Sequence, residues 1–391
     1  MNFELNEDQR QLNESILRML KDNYRFDQRR QIVVSEPGWS PKTWRLLSQL
    51  GVTGIGIPEV WGGLGGGVSD LMPVIQAFGN ALSVEPLLAS VVLGTTALRE
   101  AGSDLQRKTI LPSLADGSAR VAWAHDELDS RHANLWVQTA ARQIDNLWQL
   151  TGTKSLVIHA ESAHYLIVTA RIYGKANEPE GLGLFLVDSK ISNLRKRCYR
   201  LVDDTPAADV YFNDTAAELL GSFEHKGEAF SAIRQTLAAG TAGACADMIG
   251  CMEGAFELTK DYVNTRIQFN RTIGENQSVR HRIAEMAVAL EMARSMAIAA
   301  VVAVDDQTSP GAENDLLRAK FVVGRNAISL CENAIQLHGG IGMTEDYAVG
   351  HYLRRVQVLD QLFGDYQTQN KRLASNFAYD VTASFSILNE N

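Results

Sequence analysis

The chain has 391 residues, 45% apolar and 21% charged, which reads as an ordinary soluble globular protein long enough for two or three domains. A formal net charge of -9 argues against nucleic acid or an anionic membrane surface as the main partner, though a few local Arg or Lys side chains still suffice for an anionic ligand. Cys198, Cys245, Cys251 and Cys331 are scattered without a C-x-x-C pair, so free, mostly packed thiols in a reducing cytoplasm are expected.

The start, Met1 to Asp8, is polar and acidic and lacks the basic and apolar regions of a secretory leader. No apolar run is read as reaching membrane-spanning length. Residues 1 to about 120 read as helices broken by Gly and Pro turns. Trp44, Leu46, Leu47 and Leu50 form an apolar helical stripe that stops at Gly51. Gly54 to Gly67 then reads as a loop using positive backbone angles, with no Gly-x-Gly-x-x-Gly register for a dinucleotide turn. Ser69 or Asp70 is placed to cap the next helix, Leu71 to Leu82.

From about 121 to 222 the period changes. Segments 135–140, 147–152, 165–170 and 183–188 are short, β-branched or aromatic, and bounded by turn residues, which predicts a mostly β domain, a barrel or a sandwich. From about 227 the chain is Ala-rich and helical. Ile283, Met286, Leu290, Ala293 and Ala297 recur at steps of three and four, and Phe321, Ile328 and Ile335 every seven, as in a helical bundle.

Two motifs carry the chemistry. In Arg266 to Gly274, the Arg266 guanidinium can fork onto a pyrophosphate and Phe269 offers an aromatic face. Seventy residues on, Gln336 precedes Gly339-Gly340, a helix cap whose missing Cβ atoms let a ligand lie against the backbone. His338 reads as packed or ligand-facing, since no nucleophile lies near it in sequence. No His/Cys/Asp cluster has metal spacing.

The order and spacing of these motifs resemble the acyl-CoA dehydrogenase family. Supporting matches are Gly54 to Glu59 with Trp61-Gly62-Gly63, Leu150 to Lys154, Tyr262 to Gly274, Gln277, Gln336 to Gly342 with Thr344-Glu345, and Arg355. The resemblance implies an α+β fold: an N-terminal helical domain (1–120), a middle β-barrel (121–222) and a C-terminal four-helix bundle (227–391). It implies FAD held at a subunit interface by the positions matching Arg266, Gln277, Gln336, Gly339 and Gly340, with Phe269 and Thr368 as further contacts. It also implies an acyl-CoA substrate, α,β-dehydrogenation to a trans-2-enoyl-CoA, electron transfer to an electron-transfer flavoprotein, and a dimer or dimer of dimers.

The family's catalytic glutamate is missing from both of its usual places. Aligned from Arg355, the C-terminal place falls on Gly364; the other, 26 residues before Arg266, falls on Gly240. Leu156 and Ile158 replace the Trp and Ser/Thr that cover the flavin, and Asn270 and Thr272 stand where Gly and Pro are common. With Phe363-Gly364-Asp365 this pattern resembles the small subunits of the pimeloyl-CoA and steroid side-chain enzymes, αβ assemblies in which one chain type need carry a full site. Three readings stay open: Asp365 is the base; a partner chain supplies the base while this one completes the FAD site; or the flavin chemistry differs, as in a monooxygenase, or is absent.

Overall fold

The computed structural model describes residues 7–133, 135–221, 228–306, 309 and 311–388. The start Met1 to Asn6 and the domain boundaries expected at 222 and 227 lie outside these residues. The chain forms two compact units, one holding everything up to Ala77 together with Ser83–Gly243, the other Phe78–Leu82 and Ala244 onward. The boundary expected near 120 therefore falls inside the first unit.

The first unit opens with helices α1 (Glu7–Asn23), α2 (Phe26–Val34), α3 (Pro41–Gln49), α4 (Val68–Asn80, as far as Ala77), α5 (Thr95–Ala101) and α6 (Asp104–Ala115), with a buried π-helical stretch at Leu87–Gly94. Ser40 caps α3 by accepting from the Thr43 N–H at 3.1 Å, Trp44 and Leu47 are buried, and Gly51 ends the helix region at φ +79°. The glycine segment is a loop with Gly62 and Gly65 at positive φ, and a methyl on Gly63 would collide with the Ile57 carbonyl. Helix α4 starts at Val68, three residues before the expected Leu71, because Asp70 reaches back to the Gly67 N–H (2.8 Å) from inside the first turn.

Seven strands come next: β1 (Val121–Ala124), β2 (Ala140–Ile144), β3 (Leu147–Ile158), β4 (Tyr165–Arg171), β5 (Leu182–Asp188), β6 (Leu194–Arg200) and β7 (Pro206–Leu219). Pairings β4–β2, β2–β3, β3–β7, β7–β5 and β5–β4 close a ring, so the sheet is a barrel rather than a sandwich. Its interior is apolar, with Leu150, Leu166, Val168, Phe185 and Val210 fully buried. Strand β1 adds to β4 and β6 to β7 outside the ring. Residues 135–139 are not a strand: the Arg171 guanidinium gathers the carbonyls of Leu135, Val137, Ala176, Glu178 and Glu180, which holds this segment as a loop. Helix α2 is tied to the β6–β7 turn through Arg29, whose buried guanidinium donates to Asp204 Oδ2 (3.1 Å) and the Asp203 carbonyl (2.7 Å).

The second unit is the bundle of α7 (Glu228–Thr265, from Ala244 on), α8 (Gln277–Asp305), α9 (Ala312–His338), α10 (Val349–Gln361) and α11 (Tyr366–Leu388). On α8 the expected stripe is buried at Met286, Leu290, Ala293 and Ala297, with Ile283 only half so. On α9, Phe321, Ile328 and Ile335 are half-buried flanks; the buried face is Leu317, Lys320, Val323, Ala327, Leu330, Ala334 and His338. Helix α7 is buried at every position from Ala244 to Met252, and the one acid in that run, Asp247, is met by Arg355 of α10 at 2.6 and 3.3 Å. Contrary to the expectation from sequence, α8 is long and apolar enough to cross a membrane, with a mean hydropathy of 1.8 over its most apolar window. Arg294 within it reaches Glu253 of α7 at 2.8 Å, which marks it as a bundle helix. Its outer side exposes Val288 and Met292.

Candidate cofactor and active-site residues

Helix α7 ends at Thr265 and the chain turns at once into a two-stranded hairpin, β8 (Ile267–Gln268) and β9 (Arg271–Thr272). Phe269 (φ +54°) and Asn270 (φ +62°) form its turn, both in the left-handed region that a type I′ turn demands. Asn tolerates that region well, so Asn270 keeps the backbone a glycine would give. Thr272 sits at φ -67°, the angle a proline would impose, and its N–H and hydroxyl both donate to Glu275. Both positions thus hold backbone angles that Gly and Pro would also take. Phe269 is 96% exposed, so its ring adds nothing to the core of this chain while its left-handed backbone costs about 1–2 kcal/mol. Arg266, beside it, is exposed, as is Gln277, the first residue of α8.

At the far end of the bundle sequence, α9 stops where Gly339 takes φ +65° and ψ -139°, its N–H donating to the Ile335 carbonyl of the last turn. Gln336, Gly339 and Gly340 are exposed, and no described atom lies within 4 Å of where a Cβ on either glycine would stand. His338 is buried, one of the two placements its sequence context allows. Its ring stacks on Tyr262 at 4.4 Å, and the Tyr262 hydroxyl donates to the His338 carbonyl at 3.3 Å. The structure therefore joins the two motifs: the last turn of α7, which leads into Arg266, lies against the last turn of α9, which leads into Gly339. His338 Nε2 is buried with no partner among the described residues, and burial lowers the pKa of this imidazole. Bare glycine backbone with an exposed Arg and aromatic ring fits a phosphate-bearing, ring-containing cofactor.

Asp365 and Thr368 belong to a different place. They open α11, and Asp365 Oδ1 accepts the Thr368 N–H at 2.7 Å, the geometry of a helix N-cap. Leu362 to Gly364 forms the turn from α10, with Phe363 at φ +63° and Gly364 at φ +94°. Polar groups close this turn from beneath. The fully buried Lys320 ammonium donates to the Leu359 (2.6 Å) and Asp360 (3.0 Å) carbonyls at the end of α10. Asp360 Oδ1 accepts the Tyr366 N–H, and buried Gln369 donates to the Phe363 (2.8 Å) and Gly364 (3.0 Å) carbonyls. From Lys320 to His338 the helix rises about 27 Å. Arg266, Phe269, Gly339 and Gly340 thus cluster at one end of α9, and Asp365 and Thr368 at the level of Lys320.

Gly364 is not a simple vacancy for a glutamate. A Cβ there would stand 2.8 Å from Gln369 Nε2, on a backbone that side chains rarely adopt. Gly364→Glu is expected to destabilise the protein by about 1–3 kcal/mol and to add no turnover, checked by thermal melting and by acyl-CoA-dependent bleaching of flavin. A stable variant that gained turnover would overturn this. Gly240, the other family position, lies buried inside α7.

In the first unit, Lys154 is fully buried and donates to Glu127 Oε1 and the His125 carbonyl at 2.8 Å and to Thr169 Oγ1 at 3.0 Å. Glu127 also accepts the Gln138 and Thr139 N–H groups. Burial alone would push the Glu127 carboxyl up, but Lys154 and these donors outweigh it and hold its pKa below the usual range. A bulge comes directly after Lys154, turning half-buried Leu156 to φ +56°, with Ile158 buried beyond it. Lys320, Asp360 and Gln369 are the structuring residues that sequence reasoning missed; a lone Lys within the apolar period of α9 was the available signal.

The acyl-CoA dehydrogenase N-terminal domain model matches residues 6–118, and the acyl-CoA dehydrogenase C-terminal domain model matches residues 227–377. A probable acyl-CoA dehydrogenase of Bacillus subtilis is 27% identical over 383 residues, covering 95% of this chain and 98% of that protein. A 3-(aryl)acrylate reductase of Clostridium sporogenes is 26% identical over 336 residues, 84% of this chain and 88% of that protein. Among solved structures, a variant of the Tcur3481–Tcur3483 steroid acyl-CoA dehydrogenase superposes with a TM-score of 0.86 at 26% identity, covering 96% of this chain and 99% of that one.

Proposed function

Because the chain belongs to the acyl-CoA dehydrogenase family, whose members are flavoproteins, we propose that it is the cofactor-completing subunit of a two-chain, FAD-dependent acyl-CoA dehydrogenase whose base resides on the partner chain. One observation carries this reading. The turn where the family keeps its glutamate is a closed hydrogen-bonded corner, and the acid beside it, Asp365, is committed to capping α11.

The chemistry a bound flavin supplies is acceptance of a hydride from the β-carbon of the thioester. The α-proton must leave at the same time to a carboxylate held in a dry site. This chain's part is to bind and orient: Arg266 to fork onto the diphosphate, Phe269 to stack on a ring, and the Gly339-Gly340 backbone to admit the phosphates closely. Gln277 and Gln336 offer amide donors beside them, and Thr368 a hydroxyl contact at the level of Lys320. The exposed Val288 and Met292 on α8 support burial against another chain. The product is a trans-2-enoyl-CoA, with electrons passing to an electron-transfer flavoprotein in the cytoplasm. A bulky, steroid-derived acyl-CoA is supported by the likeness to the steroid enzyme.

The test is Asp365→Asn in the assembled protein. Asn caps a helix as well as Asp does, so stability, flavin content and turnover are expected near wild type. Lost turnover with flavin retained would make Asp365 the base and sink the partner-base reading. Purified alone, the chain is expected to be colourless or aggregated, and to turn yellow only with its partner.

A further inference from the structure

We infer that Tyr262 and Tyr347 are positioning residues that clamp His338 and so preset the Gly339-Gly340 backbone for a diphosphate; the inference rests on the proposed cofactor role of those glycines. The backbone of a glycine pair has no side chain to hold it, so its geometry must be imposed by its neighbours in the chain on either side. On the N-terminal side stands His338, held at several points. Tyr262 of α7 lies against one face of the imidazole at 4.4 Å and 27° between planes. Tyr347, from the segment leading into α10, approaches at 5.1 Å and 53°. His338 Nδ1 lies 2.8 Å from the Ala334 carbonyl, which makes it the protonated nitrogen of a neutral ring, and the Tyr262 hydroxyl holds the His338 carbonyl.

On the C-terminal side, Gly342 folds back onto the same residue. A Cβ on Gly342 would stand 3.1 Å from His338 Cβ and 3.0 Å from the Ile335 carbonyl. The glycine pair is thus suspended between two anchored points, with its own surface bare. The unpartnered His338 Nε2 is a by-product of this arrangement: stacking beside two phenol rings leaves its lone pair without a donor among the described residues, a cost of about 1–3 kcal/mol that a packing-only side chain such as Phe would avoid. An imidazole is nonetheless present where its carbonyl, its Nδ1 and its ring faces all fix the residue before the turn.

The experiment strips FAD from the full-length protein in the assembly in which it accumulates, then titrates FAD and, separately, ADP as a diphosphate probe. The variants are Tyr262→Phe, His338→Ala, His338→Phe and Gly340→Val. Tyr262→Phe keeps the stack and removes one hydrogen bond, and is expected to weaken FAD and ADP alike by about three- to tenfold while lowering the flavin-free melting temperature by no more than about 2 °C. His338→Ala should lose more, and His338→Phe should recover most of that loss. Gly340→Val should abolish binding of both.

Wild-type affinities in Tyr262→Phe and His338→Ala, beside a Gly340→Val that no longer binds, would overturn the clamp and leave the diphosphate reading standing. Normal binding by Gly340→Val would remove that reading, and the clamp with it. An affinity loss in Tyr262→Phe accompanied by a fall of more than about 5 °C in the flavin-free melting temperature would assign the stack to packing alone. If His338→Ala fails to fold, Tyr262→Phe decides.

Discussion

Lys320→Met is expected to destabilise the bundle by about 3–5 kcal/mol, or to lower the melting temperature by about 10 °C. The methionine fills the space of the lysine stem but brings no charge to a site where Asp360 is 2% exposed and Lys320 fully buried. The Leu359 and Asp360 carbonyls lose their donor, and the Asp360 carboxylate loses an ammonium that stands 3.9 Å away. Burial lowers the Lys320 pKa, and Asp360 works against that shift. Gly324 leaves no room for a substitute either, since a methyl there would collide with the Asp360 carboxylate. Hydrogen exchange at the Tyr366 amide, which donates to Asp360, is the local readout and should speed up in parallel. A loss below about 1 kcal/mol would show that the corner holds without its ammonium.

The second large effect is expected at Lys154→Met in the barrel, again about 3–5 kcal/mol at neutral pH, because Glu127 would be left buried without this cation. Here pH gives the sign. In the wild type the Glu127 pKa is depressed, so its contribution is present above the unfolded value, roughly 4.3, and is lost as pH falls through the folded value. Remove Lys154, and burial is left to push the same carboxyl upward. A raised carboxyl favours the folded state only when protonated, so the variant recovers stability as the pH falls. The stability gap between the two proteins should therefore narrow steadily from about pH 7 towards about pH 4, read by denaturant unfolding at each pH. A constant gap would mean that the Gln138 and Thr139 N–H groups alone keep Glu127 ionised.

How much of this was legible in the sequence depended on what each segment buries. Helix α8 showed its core face because that face is Met286, Leu290, Ala293 and Ala297, a run that hydrophobic spacing detects. Helix α9 did not, because its buried face includes Lys320, Gly324, Cys331 and His338, while the more apolar Phe321, Ile328 and Ile335 flank it. Strands β4 and β5 were legible as continuous apolar runs. Strand β6 was missed since its register is carried by Arg and Lys stems, and β7 since Asp209, Asn213 and Asp214 interrupt it.

The same holds at the candidate site. The phosphate-facing motifs were legible because Arg, Phe and paired glycines are unusual together. The roles of Tyr262 and Lys320 were not, because each acts on a residue tens of positions away, His338 and Asp360, and such pairings exist only once the helices are packed. Asp365 illustrates the opposite error of emphasis. Its acid type and its place next to the family's usual base drew attention, whereas its hydrogen bond to Thr368 makes it the opening cap of α11.

Closing the barrel has a consequence for how the protein behaves when crowded. Closing the ring pairs most strands on both sides, and β1, added outside it, lies beside the π-helical stretch, whose Ser90 hydroxyl accepts the Val121 N–H. Besides β2 beyond Ala140, β6, paired only with β7 among the described residues, is an edge where a second copy's strand could attach. Arg195, Lys196, Arg197 and Arg200 stand along it, so one copy meets another as like charge against like charge. In a chain that is acidic overall, this basic strand disfavours attachment of a second copy along that edge.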